Sequence, residues 1–338
     1  MLDIHRLALL CEFARRGSIA ATAKALRYSP SAVSQQLATL EREAGAVLLD
    51  RTSRSAELTD AGWRLVEHAK RILELVEAAE ADLSAHAGTP SGRVVVTAFP
   101  TGAMAFAPAL ARLLRRHREL SLRLRQSRSG LARREVESGE ADIAVVDDWR
   151  PEPPEEPALA AFPLLRDPLV LVVPRHHPVA DPAVPVDLAA LRDEPWMVTP
   201  EGEPSRAAVE RLLAPVGGTP PIAWEFEGLA TILGLVAKGI GIAAVPALTL
   251  AAGPRGIAVR RLPGEPIERG VYAVTRRSAV RRPSVAAMLR ALTAAARYLA
   301  GDIGHLRFAP AAPPHAPAGP SPAPGEASET EHGGHPVG

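Results

Sequence analysis

The chain has 338 residues, of which 47% are hydrophobic and 23% charged, with a formal net charge of +1, enough for two or three globular units with cores of their own. No apolar run reaches the length of a membrane span, and the first residues carry Asp3, Arg6, Glu12, Arg15 and Arg16 without a cleavage signal, so a cytoplasmic, membrane-free protein is expected. The single cysteine, Cys11, excludes an internal disulfide and reads as a core residue on an apolar helix face rather than a redox sensor.

Residues 18 to 40 read as two short helices joined by a tight break. Ser18 supplies a hydroxyl for the free amides of Ile19 to Ala21, and Ile19, Ala23 and Leu26 recur at helical spacing. The helix ends near Arg27 and Tyr28. Ser29 then caps a second helix with Pro30 at its first position, and Val33, Leu37 and Leu40 form the buried stripe. Ser31, Ser34, Gln35 and Ala38 remain on the outer face. Short side chains let a helix approach base edges in the major groove, where Gln bonds adenine in bidentate fashion and Ser bonds bases or phosphates.

After Leu40, Leu48 and Leu49 lead into a short hairpin closed by Leu58, with Arg51 and Arg54 flanking a Thr-Ser turn. This reads as a wing whose arginines reach phosphates or the minor groove. Residues 1 to 88 hold eleven Lys or Arg against twelve Asp or Glu, so local placement rather than bulk charge must attract a polyanion. Thr59 caps a helix running to about residue 86, roughly 40 Å long at 1.5 Å per residue. Leu65, Ala69, Ile72, Val76, Ala79 and Leu83 alternate at spacings of four and three, the seam of a coiled coil that pairs two chains.

These residues resemble the LysR-type transcriptional regulators. The resemblance rests on Gly17, Ser18, Ala23, Leu26, Ser29, Ser34, Gln36, Leu40, Glu41, Glu43, Gly45, Leu48, Arg51, Leu58, Thr59, Ala61 and Gly62. It implies a winged helix-turn-helix that reads double-stranded DNA as a homodimer, with further pairing into a homotetramer and RNA polymerase as a further partner.

A Gly/Pro/Ser break at residues 87 to 92 opens the second unit. Strands at 93–99, 122–126 and 141–146 alternate with helices at 108–117 and 130–139, the order of a parallel sheet covered on both faces. Beyond a Pro-rich loop at 151–157, strands are expected at 159–165 and 168–174, separated by Arg166 and Asp167. Further strands fall at 196–200, 222–227, 241–246, 257–262 and 270–275, with helices at 204–214, 228–239 and 284–300. Gly92, Pro108, Leu110, Leu120, residues 139–144, 169–178 and 236–246 resemble the LysR effector-binding domain, which is similar to type-2 periplasmic binding proteins.

The expected fold class is therefore α/β multidomain: an N-terminal winged helix-turn-helix (1–58), a dimerisation helix (59–87) and a two-lobed α/β effector domain (88–300). The resemblance gives lobe I as 92–165 plus 268–300 and lobe II as 166–267, with the two crossing segments as hinge. Residues 301–338, with eight prolines from 310 onward and almost nothing large and apolar, are expected to be a disordered tail.

Ligands of open α/β sheets lie beyond the carboxyl ends of the strands. That rule selects Thr101, Ser127, Ser129, Thr199 and Glu227 for a small-molecule effector. Amides and hydroxyls favour a carboxylate, Asp147, Asp148, Glu201 and Glu227 favour an amine, and a zwitterion satisfies both. The rival class, a solute-binding protein without a DNA-binding role, predicts an export signal and no such head.

No enzyme signature emerges. The GIGIAA stretch at 239–244 follows a helix and opens a strand, the reverse of a dinucleotide-binding context. His176 and His177 precede a proline without a third ligand at metal spacing, and His315, His332 and His335 read as a solvated tail. No catalytic residue, metal or cofactor is expected.

Overall fold

The computed structural model describes residues 1–51, 56–87, 90–127, 130–150, 156–253 and 255–309. The amino-terminal unit begins with α1 (Ile4–Arg16), capped by the Asp3 carboxylate on the Arg6 amide and ended by Gly17 at φ +70°. Then come α2 (Ile19–Leu26) and α3 (Pro30–Ala44), capped by the hydroxyls of Ser18 and Ser29 on the amides of Ala21 and Ala32. Between them Arg27 takes a left-handed φ of +59°, where a side chain is strained, and this makes the break abrupt. Leu7, Leu10, Phe13, Val33, Leu37 and Leu40 close the core between the helices.

The wing strands β1 (Leu49–Arg51) and β2 (Ala56–Leu58) pair antiparallel. Glu41 anchors them, its carboxylate accepting from the amides of Leu48 and Leu49 at 3.0 Å each. The long helix α4 (Asp60–Ala87) starts where Thr59 accepts from the Gly62 amide at 3.0 Å and donates to the Val47 carbonyl. Gly62 has no substitute here: a Cβ would stand 2.3 Å from the Leu48 carbonyl oxygen. The seam reading needs a correction. Leu65, Ala69 and Ile72 pack with Val66 into the head's own core, because the apolar face of α1 needs a cover and α4 lies beside it.

The second unit is built on β3 (Gly92–Ala98), flanked in parallel by β4 (Leu120–Gln126) and β5 (Ile143–Asp148), with α5 (Pro100–Arg116) and α6 (Ala132–Glu137) between them in the chain. Next comes β6 (Leu159–Pro174), a single 16-residue strand where the sequence suggested two. Its first part pairs antiparallel with β11 (Glu268–Arg276), and its second with β9 (Ala243–Pro246) and β10 (Ile257–Arg261). Arg166 and Asp167 do not break the strand, because Asp167 finds buried partners instead of water.

Around this second part lie β7 (Met197–Val198) beside β8 (Trp224–Glu225), with α7 (Pro204–Leu213) and α8 (Leu229–Val236). The chain then returns through β11, already described, to α9 (Pro283–Asp302). A strand the sequence pattern did not suggest, β12 (Arg307–Phe308), pairs with β6 at Arg166 and Leu165. One apolar core runs along β6, from Val96, Phe106 and Ile143 to Val172, Ile232 and Val245. The disordered tail expected from residue 301 is corrected at its start, where 301–309 finish α9, bury Ile303 and Leu306 and form β12 against β6 because these apolar side chains find cover on the core; the remainder, from 310, lies outside the described residues.

A second correction concerns α5. It starts at Pro100, eight residues before the expected start, and carries Pro108 inside it. An interior proline costs about 3 kcal/mol of helix stability. Burial of Ala105, Phe106 and Leu110 on the sheet offsets that cost, and Thr101 therefore sits in a helical first turn rather than in a loop.

Candidate DNA-reading face and effector cleft

In the head, the stripe Val33, Leu37 and Leu40 is fully buried, which turns the opposite face of α3 to solvent. Ser31 and Gln35 are exposed there and Ser34 is half-buried. The Ser31 hydroxyl lies 2.9 Å from that of the cap Ser29, while the Gln35 side chain makes no hydrogen bond among the described residues. Gln36 differs: its carbonyl accepts from Arg6 at 2.9 Å, and Arg6 also pairs with Glu43, so this glutamine fastens α3 to α1. The backbone of Arg51 belongs to β1, and Arg54 lies outside the described residues.

In the second unit, parallel register brings the strand ends together. Ala98 lies beside Gln126 and Val145, and the Ser127 amide donates to the Ala98 carbonyl at 2.9 Å. Thr101, Ser127 and the end of β5 therefore share one sheet edge, with both hydroxyl residues buried. Likewise, Val198 beside Glu225 places Thr199 and Glu227 just past neighbouring strand ends. Thr199 is buried with its hydroxyl 2.9 Å from that of Ser205, while Glu227 is exposed. Ser129 lies outside the described residues.

Between the end of β3 and the turn that follows β9 lies a charged cluster that the sequence reading missed. Arg269, at the start of β11, is 4% exposed and donates to Asp167 on β6 at 2.8 Å, to Asp147 at 2.7 Å and to the Thr101 hydroxyl at 3.2 Å. Its guanidinium lies 4.8 Å from the centre of the Phe99 ring and 5.8 Å from that of Trp149, which screens its faces from water. Asp167, fully buried, also accepts from the Leu248 amide at 2.8 Å, in the turn that follows β9. Burial works against both charges. The two carboxylates outweigh it at Arg269 and raise its pKa, whereas at Asp167 burial prevails over the arginine and raises the carboxyl.

The arrangement revises the charge reading of the cleft. Asp147 is tied to Arg269, and Asp148 to Arg150 at 2.6 Å, so neither is an open anion for an amine. Burial raises the Asp148 pKa, but Arg150 and Arg133 lower it further and leave it below its ordinary value. The signal in the sequence was the Arg166-Asp167 pair set between two apolar runs and Arg269 at the start of a third, since such charges stay buried only when paired. Gly102 completes the wall. A Cβ there would stand 2.8 Å from the Phe99 ring that covers the guanidinium.

Elsewhere, the Cys11 thiol is pushed up to about 11, burial being the main cause, so it is not a reactive thiolate at neutral pH. His177 caps the Val179 amide and lies 3.3 Å from Glu194, a turn-stabilising role. Among the described residues no group of His, Cys, Asp and Glu could hold a metal ion, and no helix is long and apolar enough to cross a membrane.

Comparison with known proteins matches both units. Residues 4–63 fit the profile of the bacterial regulatory helix-turn-helix protein, lysR family, and residues 87–297 that of the LysR substrate binding domain. The HTH-type transcriptional regulator CbbR of Xanthobacter flavus is 33% identical over 252 residues, 74% of each chain. CfxR of Cupriavidus necator is 29% identical, covering 90% of this chain and 96% of its own. A full-length OxyR variant from Pseudomonas aeruginosa shares the fold at a TM-score of 0.64 and 22% identity, covering 86% of this chain and 95% of that one. A capped recognition helix with an open polar face, followed by a two-part α/β unit knotted at its crossing strands, is thus found where both profiles fit, and the chain belongs to the LysR family of DNA-binding transcriptional regulators.

Proposed function

We propose that Ser31, Ser34 and Gln35 enter the major groove, that Arg51 and Arg54 of the wing meet phosphates or the minor groove, and that a small polar effector is held by Thr101, Ser127, Ser129, Thr199 and Glu227. The observation that carries the effector reading is Arg269. It binds Thr101 and Asp147 on one side and, through Asp167, the Leu248 turn on the other. With lobe I taken as 92–165 plus 268–300 and lobe II as 166–267, these contacts lie on both crossing segments. Closure of the lobes around a ligand then repacks the cluster, and the ligand biases the balance only through its differential affinity for the two arrangements.

The chain works as a homodimer through residues 59–87. Trp63 and Leu75 on α4 are large, apolar and exposed, and a second α4 would cover them. Pairing of dimers into a tetramer couples lobe closure to the spacing or bend of two DNA segments. In this reading the chain is a cytoplasmic regulator that holds no cofactor and performs no catalysis.

The test has two arms. In the first, duplexes are selected from a random library by the full chain. Gln35→Ala is expected to lose about 1–3 kcal/mol on the selected duplex and almost nothing on random DNA; equal losses on both remove Gln35 from base reading. In the second, small polar acids and amines are screened by thermal unfolding. A compound that raises the Tm should lose its effect in Thr101→Val and Thr199→Val, and a shift that survives both variants places the effector elsewhere.

A further inference from the structure

Helix α1 of the head meets the second unit of its own chain at Glu140, on the turn between α6 and β5. Its carboxylate takes Arg15 and Arg16 from the last turn of α1, the latter at 3.1 Å, and lies 3.8 Å from Arg125 on β4. Arg125 is also 3.3 Å from Glu135 on α6. On the head side Glu12 accepts from Arg15 at 3.0 Å and pairs with Arg16, which fixes both guanidinium groups on the side facing Glu140.

The turn bearing Glu140 is itself held. Arg276 donates to the carbonyls of Val136 at 2.6 Å and Ala141 at 3.1 Å, one on each side of it. Asp142 accepts from the Val95 amide at 2.7 Å and pairs with Arg282 at 2.9 Å. A cavity of about 1340 Å³ lies alongside, lined by Glu12, Arg15, Trp63 and Lys70 of the head and by Glu137 and Arg276 of the second unit. The ionic contact lies on one side of this gap, while α4 packs separately on Arg277–Ala279 and α9, so Glu140 is the charged part of a broader contact between the two bodies.

We propose that Glu140 is a charge clip by which the effector-binding unit sets the orientation of its own chain's DNA-binding head, and that Arg125 connects the clip to the loop beginning at Ser127. The connection rests on the reading of that loop as part of the effector cleft. Arg125 stands on β4 two residues before Ser127, the first residue past the strand, so a shift of Ser127 along the strand direction changes the distance from Arg125 to Glu140. One carboxylate shared by three arginines is sensitive to such a change: when Arg125 draws closer, the hold on Arg15 and Arg16 weakens. Glu140 and Arg125 are positioning residues and touch neither DNA nor effector.

The experiment uses the full chain without any effector. Spin labels on Lys24→Cys and Arg112→Cys, in a Cys11→Ser background diluted into unlabelled chain, read the distance from head to effector unit within one chain. Affinity for the selected duplex is measured in parallel on unlabelled protein. Glu140→Arg is expected to broaden the distance distribution and to weaken DNA binding about two- to fivefold, the range of a part-exposed ion pair. Arg16→Glu combined with Glu140→Arg should restore both. Glu140→Gln serves as the milder variant if the reversal destabilises the turn, and Arg125→Ala should produce an intermediate broadening. A distribution that stays narrow in Glu140→Arg and Glu140→Gln, an affinity that is unchanged or rises, or failure of the charge swap to rescue overturns the proposal. No ligand enters these measurements, so their failure leaves the cleft assignment standing, and failure of the ligand screen leaves the clip standing.

Discussion

On the reading face of the head, Gln35 stands exposed on a helix whose opposite side is fully buried, whereas at the crossing of the second unit Arg269 is 4% exposed between two carboxylates. The same kind of polar chemistry is carried at very different energetic risk. A polar group on the α3 face is hydrated, so changing it leaves folding almost untouched. A charge at the crossing has no water to fall back on, so it is structural and functional at once. An exposed helix face and a buried strand crossing thus carry their charges under different constraints.

The largest effect should therefore come from the crossing. Arg269→Met leaves Asp167 buried without its partner, so the carboxyl must bear an unpaired charge or take up a proton, and the variant is expected to cost about 3–5 kcal/mol, seen as a lower denaturant midpoint. Adding Asp167→Leu should recover much of the loss, because the uncompensated charge is then gone. A single variant with the stability of the parent would show that the cluster is not the structural knot described here.

A smaller loss is expected in the head from Ser29→Ala, about 1 kcal/mol, by removing the hydroxyl that caps α3. If its cost matched that of Arg269→Met, the contrast between the two regions would fail.

Acid should separate them least. Burial raises the carboxyls of Glu12 and Asp148, but Arg15 and Arg16 at the first, and Arg150 and Arg133 at the second, outweigh it and leave both pKa values lowered. A carboxyl lowered on folding contributes stability above its unfolded value and loses it as the pH falls through the folded one. Thermal unfolding between neutral pH and about pH 3 should show the Glu12 and Asp148 pairs losing stability only below about pH 4, the ordinary carboxylate range, whereas the raised Asp167 carboxyl acts in the opposite direction as it takes up a proton. The change is small because the arginine partners are part-exposed.

The helix-turn-helix was legible residue by residue because its determinants are local. Ser18 and Ser29 each bond an amide three positions on, and Val33, Leu37 and Leu40 mark one face by spacing alone. The parallel group of β3, β4 and β5 followed from alternation in the same way, but the antiparallel pairing of β6 with β9, β10 and β11 did not. Less legible were the long-range consequences. Pro108 suggested a helix start where burial carries the helix straight through, and Arg166 with Asp167 suggested a break where a partner 102 residues away keeps the strand continuous.

The sequence by itself determined the architecture, the family and the face of α3 that meets solvent, since period, capping and turn chemistry act over a few residues. Tertiary structure alone decided which charges are available. It tied Asp147 and Asp167 to Arg269, withdrew Gln36 to Arg6, drew part of the α4 seam into the head's own core and set Glu140 against Arg15 and Arg16. Such pairings form between residues distant in the chain, where burial raises the energy of an unpaired charge and only the folded chain brings a partner within reach.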